Sequence, residues 1–335
     1  MLSIGSLTVA SPLVLAPLSG ISDLPFRLIN RSYGCGLAFT EMICARSLVH
    51  NSKNTLKRLL TTVDDRPLGV QILGDDPEIL KRALDILSEY VFDIIDFNAA
   101  CPAGKVVSDG KGAGLLKEPL KLQKLLKVIV ERAGVPVTVK IRSGWDETSI
   151  NAKEIALRAQ ETGVKGLFIH GRTRTQGYSG RVDYNIIRAV KDSLTIPVIA
   201  SGDALTPDLI KKLFYDTGCD GVAVARGALG NPWIFRQAVG CLHNGTVPPG
   251  PDIYEIVRIM KAHLLSNIAF HGERTGVILF RKFFGWYARG MAIKELKGMA
   301  FGAVTRDEML RLIDELPVLP ANVMDQDSRG FEVVS

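Results

Sequence analysis

Short apolar runs alternate along the chain with longer segments whose apolar residues recur at helical spacing. The runs are LVLAP (13–17), LAFTEM (37–42), LGVQIL (68–73), FDIIDFN (92–98), VTVKI (137–141), GLFIHG (166–171), PVIASG (197–202) and GVAVAR (221–226). They are mostly continuous rather than alternating, which predicts strands covered on both faces, as in a parallel sheet. The spacers DPEILKRALDILSEY and EPLKLQKLLKVIVERAG predict amphipathic helices. The second opens on Glu118-Pro119 and closes on Gly134, a start and a stop signal. Eight strand–helix units in succession predict a TIM (β/α)8 barrel. The rival is an open doubly wound sheet, but LAPLSGISD after the first run lacks that fold's G-x-G-x-x-G turn.

The pattern changes after Gly240. HNGTVPPGPD (243–252) reads as a linker, and beyond it only helical periodicity remains, in IYEIVRIMKAHLLSNIAF, VILFRKFFGWYARGM and TRDEMLRLIDEL. The expected organisation is a barrel over 1–242, a small all-helical domain over 251–320 and a flexible tail over 321–335.

Composition narrows the class. A chain of 335 residues, 47% hydrophobic and 23% charged, has ample core and is not intrinsically disordered. Its five cysteines are odd in number and form no C-x-x-C pair, so neither a disulfide framework nor a metal cluster is expected, and the reducing cytoplasm is the expected location. The N-terminal apolar run is too short for a signal peptide or a membrane span. A monomer is the favoured state. The formal net charge of +6 is concentrated. Arg274, Arg281, Lys282, Arg289, Lys294 and Lys297 stand against Glu295 alone, and the loop from Arg172 to Arg181 holds three arginines and no acid. Such clusters suggest a polyanionic partner, with both segments gripping backbone phosphates.

In a TIM barrel the active site lies at the C-terminal ends of the strands. Those ends carry Pro17, Glu41, Gln71, Asn98 with Cys101, Lys140 with Arg142, His170, Ser201-Gly202-Asp203 and Ala225-Arg226-Gly227. Each has a bland reading alone; together they argue for a site. The glycines after the last two strands let backbone N–H groups approach an anion, and Arg226 adds a guanidinium that can hold a phosphate. A phosphate grip with Gln71 and Lys140 suits flavin mononucleotide, FMN. The amide can hold the ring's pyrimidine edge, and the ammonium can balance charge on the reduced ring. A Schiff-base aldolase would also use Lys140, but leaves Cys101 and Gln71 without roles.

The chain resembles the tRNA-dihydrouridine synthase family, most closely its bacterial B-type branch. The resemblance rests on LAPLSGISDLPFR (15–27), VQILGDDP (70–77), DFNAACPAGK (96–105), VKIRSGWD (139–146), HGRTRTQGYSG (170–180), GVAVARGALGNPWIF (221–235) and RKFFGWY (281–287). These segments follow one another over nearly the whole chain. The resemblance implies FMN-dependent reduction of the uracil C5=C6 bond in tRNA, with NADPH, or NADH, as reductant. It implies that Pro17, Leu18 and Ser19 meet the flavin through their backbone. Gln71, Lys140 and His170 join the cofactor site, and Ser201, Gly202, Asp203, Ala225 and Arg226 surround the phosphate. It makes Cys101 the proton donor. Asn98, Lys105, Arg142 and Arg174 are expected around the substrate base, and Arg281 and Lys282 on the RNA. The chain departs from the family at Ala100, usually Gly; at Ser201, usually Asn; and at Phe283, usually His.

The chemistry explains why a thiol stands at a strand mouth. Reducing a C=C bond conjugated to a carbonyl needs a hydride on one carbon and a proton on the other. A thiol with an ordinary pKa of about 8.5 is mostly protonated at neutral pH and can supply that proton from the face opposite the flavin. Two other functions stay open at this point. One is an FMN barrel acting on a free pyrimidine, similar to the dihydroorotate dehydrogenases, which has no use for a basic helical domain. The other is a non-catalytic RNA-binding protein, which has no use for the ordered strand-end groups.

Overall fold

A computed structural model describes residues 1–318; the tail expected over 321–335, and the last two residues of the expected helical domain, lie outside them. The barrel strands are β1 (Leu13–Leu15), β2 (Leu37–Phe39), β3 (Leu68–Leu73), β4 (Ile94–Asn98), β5 (Val137–Arg142), β6 (Gly166–His170), β7 (Val198–Ser201) and β8 (Gly221–Val224), and the two-residue segment Ile43–Cys44 pairs beside β3. All pair in parallel and in chain order. β8 returns to β1 through Val222 opposite Leu13, so the sheet closes into the expected barrel.

Side-chain parity explains the continuous apolar runs. Outward positions such as Val70, Phe97, Val139, Ile169 and Val222 join the large cluster beneath the surrounding helices. Inward positions change along the strand. Val14, Leu37, Phe39, Ile94, Phe168 and Ile199 fill the N-terminal half of the lumen. Gln71, Asn98, Lys140, His170 and Ser201 line the C-terminal end. Gly69 is required where Phe39 fills the lumen, because a Cβ there would lie 2.2 Å from the Phe39 ring.

A hairpin that the apolar pattern does not predict closes the N-terminal end. Leu2–Ile4 pairs antiparallel with Leu7–Val9 through a two-residue turn in which Gly5 takes φ 59°. Leu2, Ile4 and Val9 belong to the lumen cluster.

The surrounding helices begin where their caps lie. Asp76 accepts from the Glu78 and Ile79 N–H groups ahead of Pro77–Leu87, and Pro119 opens Pro119–Arg132. The C-terminal region forms helices Ile253–His271, Glu273–Tyr287, Lys294–Gly302 and Arg306–Asp314. Among the described residues no helix is long and apolar enough to cross a membrane. The helical region is fused to the barrel by packing. Phe283 stacks on Phe26 with ring centroids 5.7 Å apart, Tyr287 meets Trp233, and Tyr33 donates to Glu255 at 2.8 Å. Phe283 and Tyr287 are thus core residues.

Candidate active site

The C-terminal strand ends bound a cleft with about 970 Å³ of free space, part of it open to solvent. One wall is the segment after β1, Pro17 to Ser19. It is tied into a turn in which Ser22 Oγ accepts from the Leu18 N–H at 2.9 Å. Next in the turn, the Gly20 N–H donates to Glu41, and Lys282 from the helical region donates to the Gly20 carbonyl. Two elements distant in the chain therefore hold this wall.

The floor is a polar layer built on β3, β4 and β5. Asp96 is buried one inward position below Asn98, and its carboxylate accepts from Gln71 Nε2 and Thr138 Oγ1, both at 2.7 Å. Gln71 Oε1 accepts from Asn98 Nδ2 at 2.7 Å. Asn98 Oδ1 accepts from the Ala100 and Cys101 N–H groups at 3.1 and 2.9 Å. Lys140 donates to Ser201 Oγ at 3.3 Å. Burial raises the Asp96 carboxyl to about 6, against the pull of its two hydrogen bonds and of Lys140. Burial, with the nearby Arg142 charge, lowers the Lys140 ammonium to about 8, while Asp96 pulls it back up.

Cys101, half-buried, lies above this floor on the loop after β4. Arg142 ties that loop to the one after β6. Its Nε donates to the Ala100 carbonyl at 2.8 Å, and its Nη1 to the carbonyls of Thr173 and Gly177 at 2.9 Å. A guanidinium spent on three backbone carbonyls sets the shape of the mouth.

The far wall comes from β6, β7 and β8. Gly202 takes φ 109°, and a Cβ there would lie 2.7 Å from the His170 ring, so only glycine fits. Asp203 follows at φ 50°. Its carboxylate is held by Arg172 at 2.6 and 3.0 Å and by Arg226 at 3.1 Å. Burial first, then the charges of Arg142, Lys140, Arg172 and Arg226, hold the His170 imidazole well below its usual pKa. Arg172 can only donate, so the 3.3 Å contact with His170 Nε2 puts the ring proton on Nδ1.

Of the residues expected at the site, Pro17, Leu18, Ser19, Gln71, Asn98, Cys101, Lys140, Arg142, His170, Ser201, Gly202, Asp203, Ala225 and Arg226 line this one cleft. Four others do not. Lys105 is exposed on the short helix Gly104–Ser108. Arg174 stacks on Trp145 at 4.7 Å. Arg281 caps helix Lys294–Gly302 through the carbonyls of Gly302 and Ala303, and Lys282 holds Gly20. The reading of the 172–181 loop as a phosphate grip needs correction at Arg172, which is 0% exposed and neutralised by Asp203. In the same way Lys297, half-buried, donates to the Met291 carbonyl at 3.2 Å.

Among the cleft residues that escaped the sequence reading, three carry large side chains. Met42 Sδ lies 3.2 Å from Asn98 Nδ2. Tyr178, 55% exposed, hangs at the mouth with Arg226 5.1 Å and Arg142 5.8 Å from its ring. Leu205 supplies apolar surface beside Asp203. Tyr178 is an aromatic between arginines in a loop, and that composition was the available signal. Among the described residues, no group of His, Cys, Asp and Glu is arranged to hold a metal ion.

A closed parallel barrel with a polar cleft at its strand C-termini, cationic at one wall and amide-lined at its floor, defines a TIM-barrel enzyme. The family model "Dihydrouridine synthase (Dus)" matches residues 14–318, and the chain belongs to that family of flavin-dependent oxidoreductases. It is 37% identical over 284 residues to the tRNA-dihydrouridine synthase B of Pseudomonas putida, covering 85% of this chain and 84% of that one. It is 38% identical over 284 residues to the tRNA-dihydrouridine synthase B of Pseudomonas aeruginosa, covering 85% and 86%. These relatives bear out the B-type resemblance. Among solved structures, 6-hydroxypseudooxynicotine amine oxidase from Pseudomonas geniculata superposes with a TM-score of 0.56 at 12% identity, over 72% of this chain and 49% of that one. That likeness concerns the fold alone.

Proposed function

We propose that this chain is a cytoplasmic tRNA-dihydrouridine synthase that reduces uridine in tRNA with bound FMN and draws its electrons from NADPH. The observation that carries the reading is the convergence of fourteen expected residues on one cleft, in a chain of this family. The donor set fits FMN. Arg226 and the Gly202 turn offer charge and close backbone approach at one end, and Gln71 and Lys140 offer an amide and an ammonium at the other. Bound FMN supplies the hydride chemistry.

The residues have separable tasks in this reading. Gln71 keeps one N–H and one carbonyl lone pair beyond its hydrogen bonds to Asp96 and Asn98, and these would hold the polar edge of the ring. Lys140, also in the cleft, would balance negative charge on the ring. Cys101 carries the proton for uracil C5 on Sγ, and Arg142 fixes the loop that carries it. Neutral His170 donates from Nδ1, and Tyr178 bounds the mouth where the base enters. A base inside folded RNA must swing out to reach the cleft, at a cost of a few kcal/mol. Exposed Arg181, Arg274 and Lys294 remain to meet phosphates.

The test is direct. The purified protein should be yellow with non-covalent FMN, and tRNA from a deletion strain should lose dihydrouridine that the wild-type gene restores. A colourless protein that takes up no FMN removes the cofactor. Unchanged dihydrouridine with a flavin-loaded protein removes the substrate.

A further inference from the structure

Asp96 lines no part of the cleft, yet a hydrogen-bond chain with a fixed direction begins at its carboxylate. An ionised carboxylate has no proton to donate, so Gln71 must turn its NH2 toward Asp96 and its carbonyl away. That carbonyl then faces Asn98, which must offer its NH2 and turn its own carbonyl outward. The outward carbonyl accepts from the Ala100 and Cys101 N–H groups, which cannot accept anything. Both ends of the chain demand the same direction, and Thr138 fixes the carboxylate by donating to its other oxygen. Reversing any link would set two donors or two acceptors face to face inside a buried layer.

We propose that Asp96 is a positioning residue: through Gln71 and Asn98 it sets at once the amide that faces the cofactor and the backbone that carries the Cys101 thiol. Its functional consequence rests on the reading of Cys101 and Gln71 given above; its structural consequence does not. One buried acceptor thus registers the two faces between which a planar base must fit. A carboxylate suits this task because each of its oxygens accepts, one from Gln71 and one from Thr138. The nearby Lys140 charge favours its ionised, acceptor-only form.

The test compares Asp96→Ala with Asp96→Asn in the full-length protein. Hydrogen–deuterium exchange of the segment 99–103 follows the Ala100 and Cys101 amides without needing flavin or tRNA. In Asp96→Ala both amides should exchange about tenfold faster, the factor for losing a hydrogen bond of ordinary strength. Segments on the opposite side of the barrel, around β7, should be unchanged. Asp96→Asn keeps an acceptor for Gln71 and can donate to Thr138, so it should restore most of the protection. With NADPH and tRNA, Asp96→Ala should reoxidise its flavin roughly 10²-fold more slowly, the lower range for losing a general acid, and Asp96→Asn far less so. If Asp96→Ala does not fold, Asp96→Leu fills the same space without an acceptor and is read in the same way. Wild-type exchange at Ala100 and Cys101 in the variant that folds, or equal loss in the Asn variant, overturns the proposal. Altered exchange in a protein that binds no flavin leaves the chain of hydrogen bonds standing and removes the proposed function instead.

Discussion

The two ends of the barrel lumen are built from the same strands and the same inward parity, and they have opposite chemistry. At the N-terminal end Val14, Phe39, Ile94 and Phe168 meet the hairpin residues Leu2, Ile4 and Val9, with the Phe39 and Phe168 rings edge to face at 5.5 Å. At the C-terminal end, two to four residues further along, stand Gln71, Asn98, Lys140 and His170. Asp96 marks the change, just above Ile94 on the same face of β4. Position along the strand, rather than residue pattern around the barrel, divides the residues that hold the fold from those that form the site.

That division is breakable by substitution. The largest effect is expected at the mouth. Cys101→Ala should slow flavin reoxidation by tRNA ~10²–10⁴-fold while NADPH reduces the flavin at a near-normal rate, both halves being followed by stopped-flow absorbance. Wild-type reoxidation in this variant would remove the thiol as proton donor. At the other end, Phe168→Ala should cost about 3–5 kcal/mol of stability in chemical denaturation, with FMN content unchanged at low temperature. A loss of flavin without a loss of stability would mean that the two ends are not separable. Arg226→Ala should weaken FMN binding by roughly 1.5–3 kcal/mol, measured by flavin fluorescence, because it loses a charge-assisted contact.

The effect that is smallest per measured step concerns pH. Folded Lys140 releases its proton at about 8, while a lysine in the unfolded chain holds it to about 10.4. Between those values the unfolded state binds more protons, so this residue's contribution to stability rises with pH. Relative to Lys140→Met, the flavin-free protein should gain up to about 1.4 kcal/mol per pH unit across that window. A difference that is flat from pH 8 to 10 would show that Lys140 is not held in a site that disfavours its charge.

The strands were legible because outward positions are apolar along their whole length and the lower inward ones are too. The terminal hairpin was not, since a polar residue interrupts both LSI and LTV and neither forms an apolar run. Helix Lys294–Gly302 escaped because KELKGMAFG carries two glycines and little amphipathic pattern. Asp96 is hidden inside the mostly apolar run FDIIDFN. Its spacing of two from Asn98 was the signal that both face inward. Arg172 was misread because charges were counted without partners, and its partner Asp203 lies 31 positions away in the chain. Arg27, inside a family segment, is likewise buried against Asp65 at 2.7 Å. A sequence shows which side chains could pair, and only the fold shows which do.

The seam between barrel and helices has a consequence for how such a protein can be divided or recombined. Gly230 lies so close to Trp286 that a Cβ would stand 2.3 Å from its carbonyl carbon, and the apolar cluster runs without a break from Leu13 through Phe26 and Trp233 to Phe283 and Met309. A chain cut at the linker would leave Phe26, Tyr33 and Trp233 facing water, at a cost of about 1.5–3 kcal/mol for each large apolar side chain exposed. The helical region is therefore not an exchangeable module but a lobe moulded onto its own barrel. A different lobe could be grafted there only if the barrel face were recut to match.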